Sequence, residues 1–156
     1  MSSIHNTMKS SHTDKLLLMG AIHFVIMFAL MYVMVNVFNN VYLNFNQAYM
    51  AVIMTAPMLI LEVIMMGSMY ENKKVLNITI GASAVILLVF FIFIRQQTFI
   101  HDKQFIRSMI PHHSGAILMC EKANLNDAEI KELCASIIES QQSEIDQMKQ
   151  ILNRLN

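Results

Sequence analysis

The stretch Ser108–Cys120, "SMIPHHSGAILMC", sets imidazole, thioether and thiol side chains close together. Two imidazoles, His112 and His113, follow Pro111 directly, with thioethers at Met109 and Met119 and a thiol at Cys120. Imidazole binds many transition metals, whereas thioether selects soft ions such as Cu(I) or Ag(I). On a helix, Met109, His112, His113, Ala116 and Met119 lie within a stripe of three- and four-residue steps. Pro111 has no backbone N–H, so the carbonyl of Arg107 loses its helical partner.

A second group of donors lies further along. Gln141, Glu144 and Met148 share one helical face. In an antiparallel hairpin turning near Leu125, position 113 falls opposite residues 137–141. Imidazole, thioether and carboxylate then converge, a mixture that suits copper best. The alternative is a buried histidine satisfied by Gln141 or Glu144. Cys120 and Cys134 flank the turn on apolar faces. They pair as a disulfide in an oxidising compartment or remain thiols, in the core or at the metal site. Neither belongs to a CxxC motif, which excludes a zinc ribbon and a thioredoxin-like centre.

These residues require a helical hairpin. Its first helix is predicted from Arg95 to about Lys122, with Ile106, Met109, His113, Ile117 and Cys120 on one face. "NLND" ends it, and Asp127 is the expected N-cap of a second helix over Ala128–Leu155. That helix carries its stripe through Ile130, Leu133, Ile137, Ile138, Ile145, Met148 and Leu152. The string "RQQTFIHDKQ" contains no Gly or Pro, which predicts that the hairpin continues unbroken from the preceding helix. One hairpin has little core of its own, so dimerisation into a four-helix bundle is the simplest cover for its stripes.

Upstream, three apolar runs dominate: Leu16–Phe38, Ala48–Tyr70 and Val75–Ile94. Each is near the roughly 20 residues needed to cross a bilayer as a helix. The first is too long for a cleavable signal sequence and lacks a small-residue cleavage site. Composition agrees: 55% of the 156 residues are hydrophobic and 14% charged, against roughly 25% charged in soluble domains. Zero net charge gives no reason to expect nucleic acid as a partner. The expected partners are the bilayer, a metal ion and further copies of the chain.

Lys9 and Lys15 precede the first run, the first connector "NNVYLNFNQ" has no Lys or Arg, and the second holds Lys73 and Lys74. The positive-inside rule then places the N-terminus in the cytoplasm and the hairpin outside, as a multi-pass protein of the inner (cytoplasmic) membrane. The expected organisation is a polar leader over 1–15, a three-span region over 16–94 and a helical-hairpin metal-binding domain over 95–156. The leader, which carries His5, Met8 and His12, is expected to be a solvated tail. Pro57 should kink the second span.

Methionine accounts for 15 residues, and many of these fall on two helical faces within the spans. Met19, His23, Met27, Met31 and Met34 make one face. Met50, Met54, Met58, Met65 and Met69 make the other, with Glu62 beside them. Such stacks line a soft-metal path or simply pack between helices. His23 and Glu62 cost roughly 2.5 kcal/mol or more at span depth unless paired or neutral, so both are expected to face inward.

The segments "DKQFIRSMIPHHSGAILMCEKA" and "IKELCASIIESQQSEIDQMKQIL" resemble the domain of unknown function 305 family. The likeness rests on Asp102, Phe105, Met109, Pro111, His112, His113, Gly115, Ala116, Ile117 and Met119, then on Gln141, Glu144, Ile145 and Met148. "MTAPM", "MYENKK" and "IRQQT" resemble its membrane-anchored branch. The resemblance implies a ferritin-like all-α bundle associated with copper or silver. It makes Met109, His112, His113, Met119 and Met148 candidate ligands, with Asp102, Gln141 and Glu144 as nearby polar groups.

The function expected is therefore binding of copper or silver by a membrane-anchored protein, in metal tolerance or handling. Neutral imidazole ligands would make affinity fall as pH drops through about 6.5. The alternatives are a metal-dependent oxidase of Cu(I) or a small reductant, and a structural oligomer without metal. The pair of ExxH motifs of di-iron bundles is absent, which weighs against an enzyme.

Overall fold

A computed structural model describes residues 2–67 and 73–155, with side chains from residue 14 onward. The described residues are helical or coil, with no strand. Five α-helices follow in order: α1 Ser2–Leu30, α2 Phe45–Met65, α3 Lys73–Gln96, α4 Asp102–Lys122 and α5 Ala128–Leu155. They form two compact units. One holds α1, α2 from Ala48 onward and α3 through Thr98. The other joins Met31–Gln47 to α4 and α5.

In the first unit, α2 and α3 are long and apolar enough to cross a membrane. Only 6% of the most apolar stretch of α3 is buried, so its apolar side chains face outward rather than into a protein core. Where helices do meet, contacts are close. A Cβ on Gly20 of α1 would lie 3.2 Å from the Leu59 side chain of α2. Tyr49 of α2 packs edge-on against Phe90 and Phe93 of α3, at ring separations of 5.6 and 5.8 Å. Its hydroxyl donates to the Thr98 carbonyl at 2.9 Å.

Three expectations change here. The polar leader joins α1, whose backbone is helical from Ser2; its sequence contains no Gly or Pro to stop the helix. The expected span Leu16–Phe38 is helical only to Leu30, and the chain then passes through turns and one 3-10 turn at Phe38–Asn40. The predicted continuity of α3 into α4 also fails. Gln97 adopts φ 51° and Phe99 φ 61°. The Thr98 N–H returns to the Phe93 carbonyl at 3.0 Å, which is the six-to-one bond of a Schellman helix end. Gln97 Nε2 donates to the Ile94 carbonyl at 2.7 Å. A side-chain amide thus contributes to a stop that sequence readers associate with glycine.

The second unit is the hairpin and its cover. Ile106, Ile110 and Ile117 of α4 pack with Ile145 and Leu152 of α5, flanked by Tyr42, Ile138 and Met148. Asp127 caps α5 as expected, accepting from the Ile130 N–H at 3.0 Å. The core is not closed by the hairpin alone. Met31–Gln47 lies against α4 at contact distance: a Cβ on Gly115 would sit 3.6 Å from both the Cβ and the carbonyl oxygen of Met34. Met31–Gln47 therefore covers one face of α4 from within the chain.

Candidate metal centre

Pro111 explains how the cover is held. Its missing N–H leaves the Arg107 carbonyl open, and the buried Asn44 places Nδ2 3.3 Å from that oxygen. Asn44 also caps α2, its Oδ1 accepting from the Gln47 N–H at 2.9 Å. Two further groups at the start of α2 turn to α4. The Phe45 N–H donates to Gln104 Oε1 at 3.0 Å, and Asn46 Nδ2 to Ser108 Oγ at 3.2 Å. Next to the histidines, the buried Ser114 hydroxyl accepts from the Asn36 N–H at 2.8 Å and donates to Asn36 Oδ1. Burial holds the Tyr32 phenol above its ordinary pKa. It stays protonated and donates to the Tyr42 carbonyl at 3.0 Å.

This packing separates the two histidines. His113 is buried and faces α5, whereas His112 is exposed on another side of α4. Their ring centres are 6.1 Å apart. His113 Nε2 lies 2.6 Å from Glu144 Oε2, and Nδ1 lies 3.0 Å from the Met109 carbonyl oxygen. Both neighbours are acceptors, so the ring donates to both only when each nitrogen carries a proton. The carboxylate remains accessible: the Glu144 side chain is 53% exposed. Position 113 therefore faces Glu144, slightly beyond the 137–141 region expected from an idealised hairpin.

The other candidates spread around this contact. Met109 stands one turn before His113 and is half-buried; Gln141 and Met148 flank Glu144 by one turn and are also half-buried. Met148 packs against the isoleucine core. Met119 is exposed, and Asp102 is exposed at the first residue of α4. Cys120 and Cys134 form a disulfide with Cα atoms 5.3 Å apart, so their thiols are not available as ligands in this state. Among the described residues, no group of three or more His, Cys, Asp and Glu side chains is placed to hold one ion.

The methionine faces of the first unit differ from an internal channel. Met50, Met54, Met58 and Met65 are exposed, whereas Glu62 is half-buried. On α1, Met19 is exposed while His23 and Met27 are half-buried; Met31 and Met34 lie beyond its end. No ion pair joins His23 to Glu62 among the described residues. Met69 and the side chains of His5, Met8 and His12 lie outside the described residues.

Asn36, Asn44 and Ser114 position the site but lacked a chemical signature in the sequence. For Asn44 the available signal was the connector "NNVYLNFNQ", whose carboxamides bond backbone and side chains rather than merely meeting solvent. Residues 95–152 match the family described as Domain of unknown function (DUF305). An uncharacterised protein of Acanthamoeba polyphaga mimivirus is 42% identical over 114 residues, covering 71% of this chain and 72% of that relative. That likeness extends well beyond the matched domain. No solved structure matches the chain. The chain therefore carries a DUF305 domain over residues 95–152 and belongs to one family with the mimivirus protein, to which it aligns over most of both lengths.

Proposed function

We propose that this is a membrane-anchored protein that binds a soft metal ion, copper or silver, at His113. The observation that carries the reading is the orientation of that ring. A backbone carbonyl accepts from Nδ1, and Nε2 is aimed at a half-exposed carboxylate. Metal-bound histidines commonly donate their other ring N–H to such a carbonyl, which fixes the tautomer that leaves a lone pair for the ion. An ion on Nε2 takes the place of the proton shared with Glu144. The thioethers of Met109 and Met148, one turn from His113 and Glu144, supply the soft donors. A ferritin-like bundle assembled from further copies completes the coordination.

The anchoring follows from chain order. Met31–Gln47 bonds to α4, so the first connector and the hairpin share one side of the bilayer. Two crossings, α2 outward from that side and α3 back to it, satisfy this requirement. Lys73 and Lys74 then mark the cytoplasmic turn. A crossing by α1, whose apolar part is Leu16–Leu30, places the N-terminus in the cytoplasm and the hairpin in the periplasm or outside the cell.

A second reading rests on the same 2.6 Å contact: His113 and Glu144 form a structural clamp between α4 and α5. The purified protein in detergent, offered Cu(I), Ag(I), Cu(II) or Zn(II), separates the two. The metal reading expects Cu(I) or Ag(I) in stoichiometric amount, lost in His113→Ala, weakened in Glu144→Gln and retained in His112→Ala. No retained ion, with Glu144→Gln lowering stability by about 1.5 kcal/mol or less as befits a half-exposed charged hydrogen bond, establishes the clamp.

A further inference from the structure

We infer a second soft-metal site at the turn end of the hairpin, about two helical turns along α4 from His113, formed when the Cys120–Cys134 disulfide is reduced. The two cysteines lie on either side of the α4–α5 turn with Cα atoms 5.3 Å apart. Both are half-buried, and the turn residues Lys122–Asn124 beside them are exposed, so a small thiol reductant has access. Reduction need not scatter the pair. The isoleucine core holds α4 against α5 independently of the bond. The reduced hairpin therefore presents two thiols from adjacent helices at short range.

The chemistry balances as follows. Two molecules of a low-molecular-weight thiol deliver two electrons and two protons to the S–S bond and leave as their own disulfide. Cys120 and Cys134 become thiols. Each then releases a proton to solvent as its thiolate binds the ion, because the thiolate is the form that ligates metal. Two thiolates suit Cu(I) or Ag(I), ions that prefer soft sulfur. The site is independent of His113 and exists in only one redox state. The oxidised hairpin carries the imidazole–thioether donors alone; the reduced hairpin adds a dithiolate.

The test uses the full chain in detergent, reduced and desalted without oxygen, against the oxidised protein. Cu(I) is the probe, counted per chain by competition with a chromogenic Cu(I) chelator and followed by thiolate-to-copper charge-transfer absorption. The reduced protein is expected to bind one more ion than the oxidised one and to gain the absorption band. Cys120→Ser and Cys134→Ser each abolish the gain, whereas the His112→Ala, His113→Ala double variant keeps it. Circular dichroism of the reduced wild type checks that the helices persist. Equal stoichiometry in both redox states, a gain without the band, or loss of the hairpin's helicity on reduction overturns the proposal.

Discussion

The two units bury different kinds of residue. In the first, α2 and α3 turn many of their large apolar side chains outward, and close contacts fall at Gly20 of α1 and at Ala51, Ala56 and Tyr49 of α2. In the second, isoleucines turn inward and charged residues cover the outside of α5. Outward leucine and methionine cost nothing in an apolar solvent, whereas removing a few aliphatic side chains from solvent, as the second unit does, is stabilising in water.

The comparison can be broken by the same truncation made in each unit. Ile145, fully buried, is expected to cost about 2–5 kcal/mol as Ile145→Ala. Amide hydrogen exchange in α4 and α5 should report that loss. Ile78 is 67% exposed, and Ile78→Ala in detergent should change stability by less than about 0.5 kcal/mol. Equal costs at the two positions would mean that α3 is packed in a protein core. Asn44→Ala is expected to cost on the order of 2–4 kcal/mol, since it removes a helix cap and leaves the Arg107 carbonyl bare. Its exchange signature should appear both at the start of α2 and around Pro111. Protection lost at only one of these places would sever the link between connector and hairpin. Within the second unit the smallest effect belongs to Asp127→Ala, about 1 kcal/mol from loss of the α5 cap, seen as fraying of the first turn of that helix.

These residues also show how far the sequence could be read. Asp127 was legible because a cap bonds to an N–H three residues away. The Arg107 carbonyl was legible as a vacancy, since proline creates it locally. Its partner was not, because Asn44 lies 63 positions from Arg107. The stop at Gln97 was hidden for another reason: the left-handed residue is not glycine, and its own side chain bonds back to the helix. The end of α1 at Leu30 was hidden because Met31–Phe38 is apolar enough to read as more of the same helix.

Hydrophobic period and local chemistry determined the all-helical class, the hairpin, its cap and the presence of donors around Pro111, because each depends on neighbours within a turn or two. Tertiary packing decided which donors meet. It turned His113 onto Glu144, sent His112 to another face, joined Cys120 to Cys134 and laid Met31–Gln47 over α4. Adjacent side chains on a helix diverge by about 100°. Two histidines in a row can therefore share a motif without sharing a site, and only the surfaces packed against each decide their roles.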